Sequence, residues 1–243
     1  MKIFAFSSRT AKELLRDPLT IAFGLGFPAV LLLLLSAIQA NIPVELFEIS
    51  HLIPGVAVFG LSFMTLFSSL LIAKDRGSAL LHRLYTTPMT ARDFILGYTL
   101  PMIPIAILQT VLCYLLAMIL GLPWSPTLLF ALIATIPNAW LYVSFGLFFG
   151  SILNDKQVGG VCGALMTNLS AWLSGTWFDL ELVGGAFRKI AYCLPFVHAV
   201  ELTRAAQAGA FADALPHLWW VLGYGLAITI GAIALFLRQM RRV

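Results

Sequence analysis

The sequence predicts an all-α membrane protein with six transmembrane helices, and three observations carry that prediction. Of the 243 residues, 60% are hydrophobic and 11% charged, with a mean hydropathy of +0.93. A chain this short leaves much of its surface in water, so an apolar excess over the roughly 45 to 50% of soluble domains needs a second apolar solvent. The apolar residues fall into uncharged runs of about 20 residues or more, enough for a helix to cross a hydrocarbon core of about 30 Å. The lysines and arginines collect between alternate runs. The whole chain, residues 1–243, reads as one transmembrane domain.

The elements follow in order. Ahead of the first run, Thr10-x-x-Glu13 reads as a capping box leading into Leu14, Leu15 and Arg16. This gives an N-terminal amphipathic helix lying in the interface, with Arg9, Glu13 and Arg16 on it. The first span covers about 19–38 and opens at Asp17-Pro18, an N-cap followed by proline at the first helical position. It is longer than the roughly 7 to 15 apolar residues of a signal peptide, so it is expected to stay in the mature chain. The other spans are expected at about 52–73, 94–119, 127–153, 158–178 and 218–237. Ser125-Pro126 repeats the cap-then-proline signal for the fourth.

The loop between the second and third spans reads as two pieces. Leu80, Leu81, Leu84 and Tyr85 share one helical face, with Arg76, His82 and Arg83 largely elsewhere, which predicts a short amphipathic helix. Thr86-Thr87-Pro88 ends it, and Thr90-x-x-Asp93 caps the third span. Residues 176–217 mix charges, a Gly184-Gly185 break and apolar residues, too polar to span and too apolar for a free loop. A partly embedded outer cap is expected there. Gly146-x-x-x-Gly150 and Gly159-x-x-x-Gly163 predict close helix approach, and Gln109, Asn138 and Asn168 predict interhelical hydrogen bonds.

Charge sets the orientation. With the N-terminus inside, Lys2, Arg9, Lys12, Arg16, Lys74, Arg76, Arg83, Arg92, Lys156, Arg238, Arg241 and Arg242 face the cytoplasm. Only Arg188, Lys189 and Arg204 lie outside. Both termini are therefore expected in the cytoplasm. The positive charge is spread over every inner segment instead of forming a stripe, which excludes a nucleic-acid partner.

Several function classes drop out. No span carries an acidic or basic residue well inside it, as proton-coupled carriers and voltage sensors require. There is no H-E-x-x-H, no G-x-S-x-G and no phosphate-binding G-x-x-x-x-G-K-[ST]; Leu61 stands where that lysine belongs. The chain is thus expected to be no enzyme and to hold no metal, and any ATP used must be bound by another chain. Cys113, Cys162 and Cys193 form neither a disulfide framework nor a thiolate metal set. In the second span Phe59, Phe63 and Phe67 form a stripe with Met64 beside it, either as packing or facing a path.

These segments resemble the membrane subunits of type-2 ATP-binding-cassette (ABC) exporters, the ABC-2 permeases. The resemblance lies in Arg76-Gly77-Ser78, Arg83-Leu84, Thr87-Pro88 and Gly97, in the N-terminal amphipathic segment, and in Leu194-Pro195-Phe196-Val197-His198 with Arg204 following. The chain departs from the pattern in Lys74-Asp75-Arg76 before the glycine and in the eleven positions from Gly77 to Pro88. The resemblance implies short re-entrant helices on the outer side and a coupling helix that docks on a separate ATPase through Gly77, Leu80, Arg83, Leu84, Tyr85 and Pro88. That partner would carry ATP and Mg, and this chain would bind no cofactor. It further implies a homodimer, or a heterodimer with a related permease, in the lipid bilayer of a prokaryotic plasma membrane. The second and fifth spans would line a path for a hydrophobic or amphipathic drug, antibiotic or lipid, with Phe59, Phe63, Phe67 and Met166 as candidates. A channel working without an ATPase, and an assembly protein without cargo, stay open.

Overall fold

The computed structural model describes residues 2–42, 48–78 and 90–240. Among the described residues every regular element is helical. Helix α1 is Lys2–Arg16. Four long helices follow: α2 Pro18–Gln39, α3 Ile49–Gly77, α4 Ala91–Ile119 and α5 Leu128–Ile152. A broken helix, α6, occupies 155–173. Three short helices, α7 Leu180–Val183, α8 Gly185–Cys193 and α9 Pro195–Ala208, lead to α10 Phe211–Met240.

Five of these, α2 to α5 and α10, contain stretches long and apolar enough to cross a membrane. The expected fifth run, 158–178, is not among the five. It is helical over 155–173, with Asp155, Lys156 and Gln157 in its first turn and Thr167, Asn168 and Ser170 near its end. Between Gly159 and Met166 it widens to π geometry. The last helix begins at Phe211, seven residues ahead of expectation, and continues through Pro216.

Local chemistry explains several helix starts. Asp17 caps α2, accepting from the Leu19 amide at 3.3 Å and the Thr20 hydroxyl at 2.7 Å, with Pro18 in the first turn. Thr90 and Asp93 form the expected reciprocal capping box at α4. Two expectations are corrected. Thr10 caps nothing, because α1 runs through it, and it sits buried in mid-helix. Ser125 also falls short of α5: Thr127 is its N-cap, and the Ser125 hydroxyl accepts from the Thr127 amide at 3.3 Å.

Helix α3 is the axis of the structure, with 89% of its most apolar stretch buried. Its small polar residues bond to α5: Thr65 Oγ1 donates to the Tyr142 carbonyl at 2.7 Å and Ser69 Oγ to the Gly146 carbonyl at 3.1 Å. Gly146 makes this approach possible, since a Cβ there would lie 1.7 Å from Ser68 Oγ. Gly150 also packs tightly, a Cβ there standing 2.9 Å from Ile72 Cβ and from the Ser69 carbonyl oxygen. The other pair behaves differently, for among the described residues Gly159 meets nothing within 4 Å and Gly163 only Leu66.

The deep polar residues divide likewise. Gln109 donates to the Ala57 carbonyl at 3.1 Å, and Asn138 to the Ala199 carbonyl and Thr203 hydroxyl, each at 3.0 Å, tying α5 to α9. Asn168 instead bonds the Ala164 carbonyl of its own helix and is exposed.

Candidate functional site

The site is built where α1 crosses the basic ends of α3 and α4. Asp75 lies near the end of α3 and is only 2% exposed. A carboxylate held that far from water must be paired and hydrogen-bonded. Arg9 of α1 supplies a two-pronged fork, Nη1 to Oδ2 at 2.6 Å and Nη2 to Oδ1 at 2.8 Å. From α4 the fully buried Tyr98 hydroxyl donates to Oδ2 at 2.6 Å. One carboxylate thus joins three helices. The bond to Asp75 is also the largest cause holding the Arg9 guanidinium above its ordinary pKa.

A second layer extends the clamp. Glu13, one turn after Arg9, accepts from it at 2.7 Å and from Lys74 at 3.3 Å. Arg76 turns the other way and donates to the Gly150 carbonyl at 2.8 Å, in the last turn of α5, where the helix dipole favours a cation. Lys74, Asp75 and Arg76 therefore fasten the end of α3 to α1 on one side and α5 on the other. Ser78 closes the helix, its hydroxyl donating to the Asp75 carbonyl at 2.9 Å.

Beneath the ions lies an aromatic floor. Phe6 meets Tyr98 edge-on at 5.0 Å, Phe94 meets Tyr98 at 4.6 Å, and Phe94 stacks on Phe236 of α10 at 3.9 Å. Gly97 explains itself here, because a Cβ would stand 2.1 Å from the Phe6 ring. Beside the clamp, a cleft of about 980 Å³ opens between α1, α2 and α3, with Lys12 and Arg16 on its lip and Phe67 among its lining residues.

Phe67 is the foot of an aromatic ladder. Phe67, Phe63, Phe59 and Trp177 follow one another at 6.3, 6.0 and 5.4 Å, with Phe23 and Phe27 of α2 against Phe63 at 6.2 and 5.5 Å. Phe59, Phe63, Phe67 and Met166 are each at most 7% exposed, so within one chain the stripe is packed.

Of the residues singled out from sequence, Arg9 and Glu13 come together in the clamp. Arg16 is exposed at the cleft, and Gly77 is the last residue of α3. Leu80, Arg83, Leu84, Tyr85 and Pro88 lie outside the described residues. Asp75 and Tyr98 escaped sequence reasoning. The available signal was an acid between two cations, Lys74 and Arg76, at the end of a long apolar run.

Residues 1–208 match the family model described as ABC-2 type transporter. The chain is also 24% identical over 225 residues to Nodulation protein J of Sinorhizobium fredii, covering 91% of this chain and 79% of that protein.

Proposed function

Because this chain belongs to the ABC-2 type transporter family and is a membrane component of such a transporter, we propose that it is the permease subunit of an ATP-driven exporter. A separate ATPase subunit binds and hydrolyses ATP with Mg, docks on residues 79–89, and moves α3. The observation that carries this reading is the three-residue clamp just before that segment. A push on a loop moves spans only if the loop is anchored to them, and Lys74, Asp75 and Arg76 anchor it to α1 and α5. Two permease chains, identical or related, form the membrane half, in a prokaryotic plasma membrane with both termini cytoplasmic.

Cargo is hydrophobic or amphipathic. The spans lack a charged residue well inside them, and the ladder from Phe67 to Trp177 offers an apolar track that opens when neighbouring helices part. The cleft with Lys12 and Arg16 at its lip places basic groups beside the foot of that track.

The test is co-purification of this chain with an ABC ATPase from its own cells, followed by ATP-dependent export. Leu84→Asp puts a charge on the apolar face that the sequence pattern predicts there and is expected to abolish both association and export. Unchanged association and export in that variant refute the reading and leave an ATPase-independent facilitator or an assembly role.

A further inference from the structure

At the end of the molecule opposite the clamp, two histidines from different helices share one hydrogen bond. His198, in the first turn of α9 and 4% exposed, has Nδ1 2.8 Å from Nδ1 of His217 in α10. Its other nitrogen, Nε2, is 3.0 Å from the Tyr192 carbonyl at the end of α8. A carbonyl only accepts, so Nε2 of His198 carries a hydrogen. An N···N separation of 2.8 Å holds one hydrogen and not two. The rings together therefore tolerate the neutral pair or a single shared positive charge, and a second proton forces them apart.

The surroundings suit one charge and no more. Trp220 stacks on His198 at 4.7 Å and 9° between planes, a face that attracts an imidazolium. Glu201 on α9 and Asp213 on α10 favour the charged rings, but Glu201 is already paired with Arg204 at 2.8 Å. On α8, Arg188 lies over the Tyr192 ring and is paired with Glu181. Tyr224 of α10 donates its hydroxyl to the Cys193 carbonyl. Helix α5, packed on both α9 and α10, carries no ionisable residue except Tyr142, and on α3 His51 faces Arg204 and Glu201. Burial is the largest influence on His198 and holds it below its ordinary value.

We propose that His198 and His217 form a proton-limited latch that fastens the short helices α8 and α9 to the last span and releases them when both rings become charged. At pH 4.5, two units below the ordinary imidazole value of 6.5, uptake of the second proton favours the open form by about a hundredfold. Loss of the charge-assisted bond opposes this by about tenfold. Acid therefore opens the latch by roughly tenfold net.

The experiment is hydrogen–deuterium exchange of the full chain in lipid nanodiscs at pH 7.5 and 4.5, with rates corrected for intrinsic chemistry, read on segments 186–200 and 211–220. The wild-type chain is expected to exchange about tenfold faster at the lower pH. His217→Gln keeps a partner that can donate to or accept from His198 without titrating, and is expected to show no such difference. His217→Ala is expected to exchange fast at both values; should it fail to fold, the glutamine variant still decides. An equal acid response in wild type and His217→Gln, or no response in wild type, overturns the latch.

Discussion

Replacing Asp75 by asparagine keeps the size of the side chain and removes the charge that joins α1, α3 and α4. The carboxylate accepts three hydrogen bonds, two from Arg9 and one from Tyr98, at 2.6 to 2.8 Å. An asparagine oxygen in the place of Oδ2 keeps two of them in weaker, uncharged form, and the amide nitrogen in the place of Oδ1 loses the third and turns a donor toward Arg9 Nη2. Each lost bond to a charged group is worth about 1.5 to 3 kcal/mol, but Arg9 is about one-third open to water and keeps Glu13, so it recovers part of its loss. The expected destabilisation is about 2 to 3 kcal/mol. The assay is reversible unfolding in mixed micelles of wild type, Asp75→Asn, Arg9→Gln and the double variant, with Tyr98→Phe as the measure of the third contact. In that cycle Arg9 and Asp75 should couple by about 1 to 2 kcal/mol. A coupling below about 0.5 kcal/mol would mean that the fork does not hold α1 in place and that α1 does not anchor the end of α3.

Two further predictions test the packing. Gly97→Ala drives a methyl into Phe6 and is expected to cost about 1 to 3 kcal/mol, with most of it returned by Phe6→Leu in the same unfolding assay. Gly146→Ala meets Ser68 and the Thr65 carbonyl and should lose a similar amount, whereas Gly160→Ala, with nothing within 4 Å among the described residues, should be neutral or slightly stabilising. Equal effects at positions 146 and 160 would contradict the helix contact described here.

What sequence reasoning reached, it reached through short-range chemistry. The caps at Asp17 and Thr90 involve atoms two or three residues apart, so a local pattern suffices. The same pattern misled at Thr10, because it cannot tell whether a helix has already begun; here docking of Phe6 against Gly97 and Tyr98 extends α1 upstream. The clamp was half visible. Arg9 and Glu13 lie on an amphipathic segment, but their partners are 66 and 61 positions away, and nothing local couples Asp75 to Tyr98. The phenylalanine stripe was legible as a face of α3, while its neighbours Phe23, Phe27 and Trp177 follow only from tertiary packing. Asn138 and Asn168 look alike in sequence, yet one bridges two helices and the other bonds its own.

The near-complete enclosure of α3 bears on how the chain is made. Thr65 and Ser69 satisfy themselves on the Tyr142 and Gly146 carbonyls, which are synthesised 77 residues later. Until the ribosome has delivered α5, this helix must sit in lipid, or beside the insertion machinery, with its hydroxyls turned back onto its own carbonyls, as Ser68 already does toward Met64 at 2.5 Å. Translation that ends before residue 152 therefore leaves a polar-faced span without its shelter, a natural target for membrane quality control.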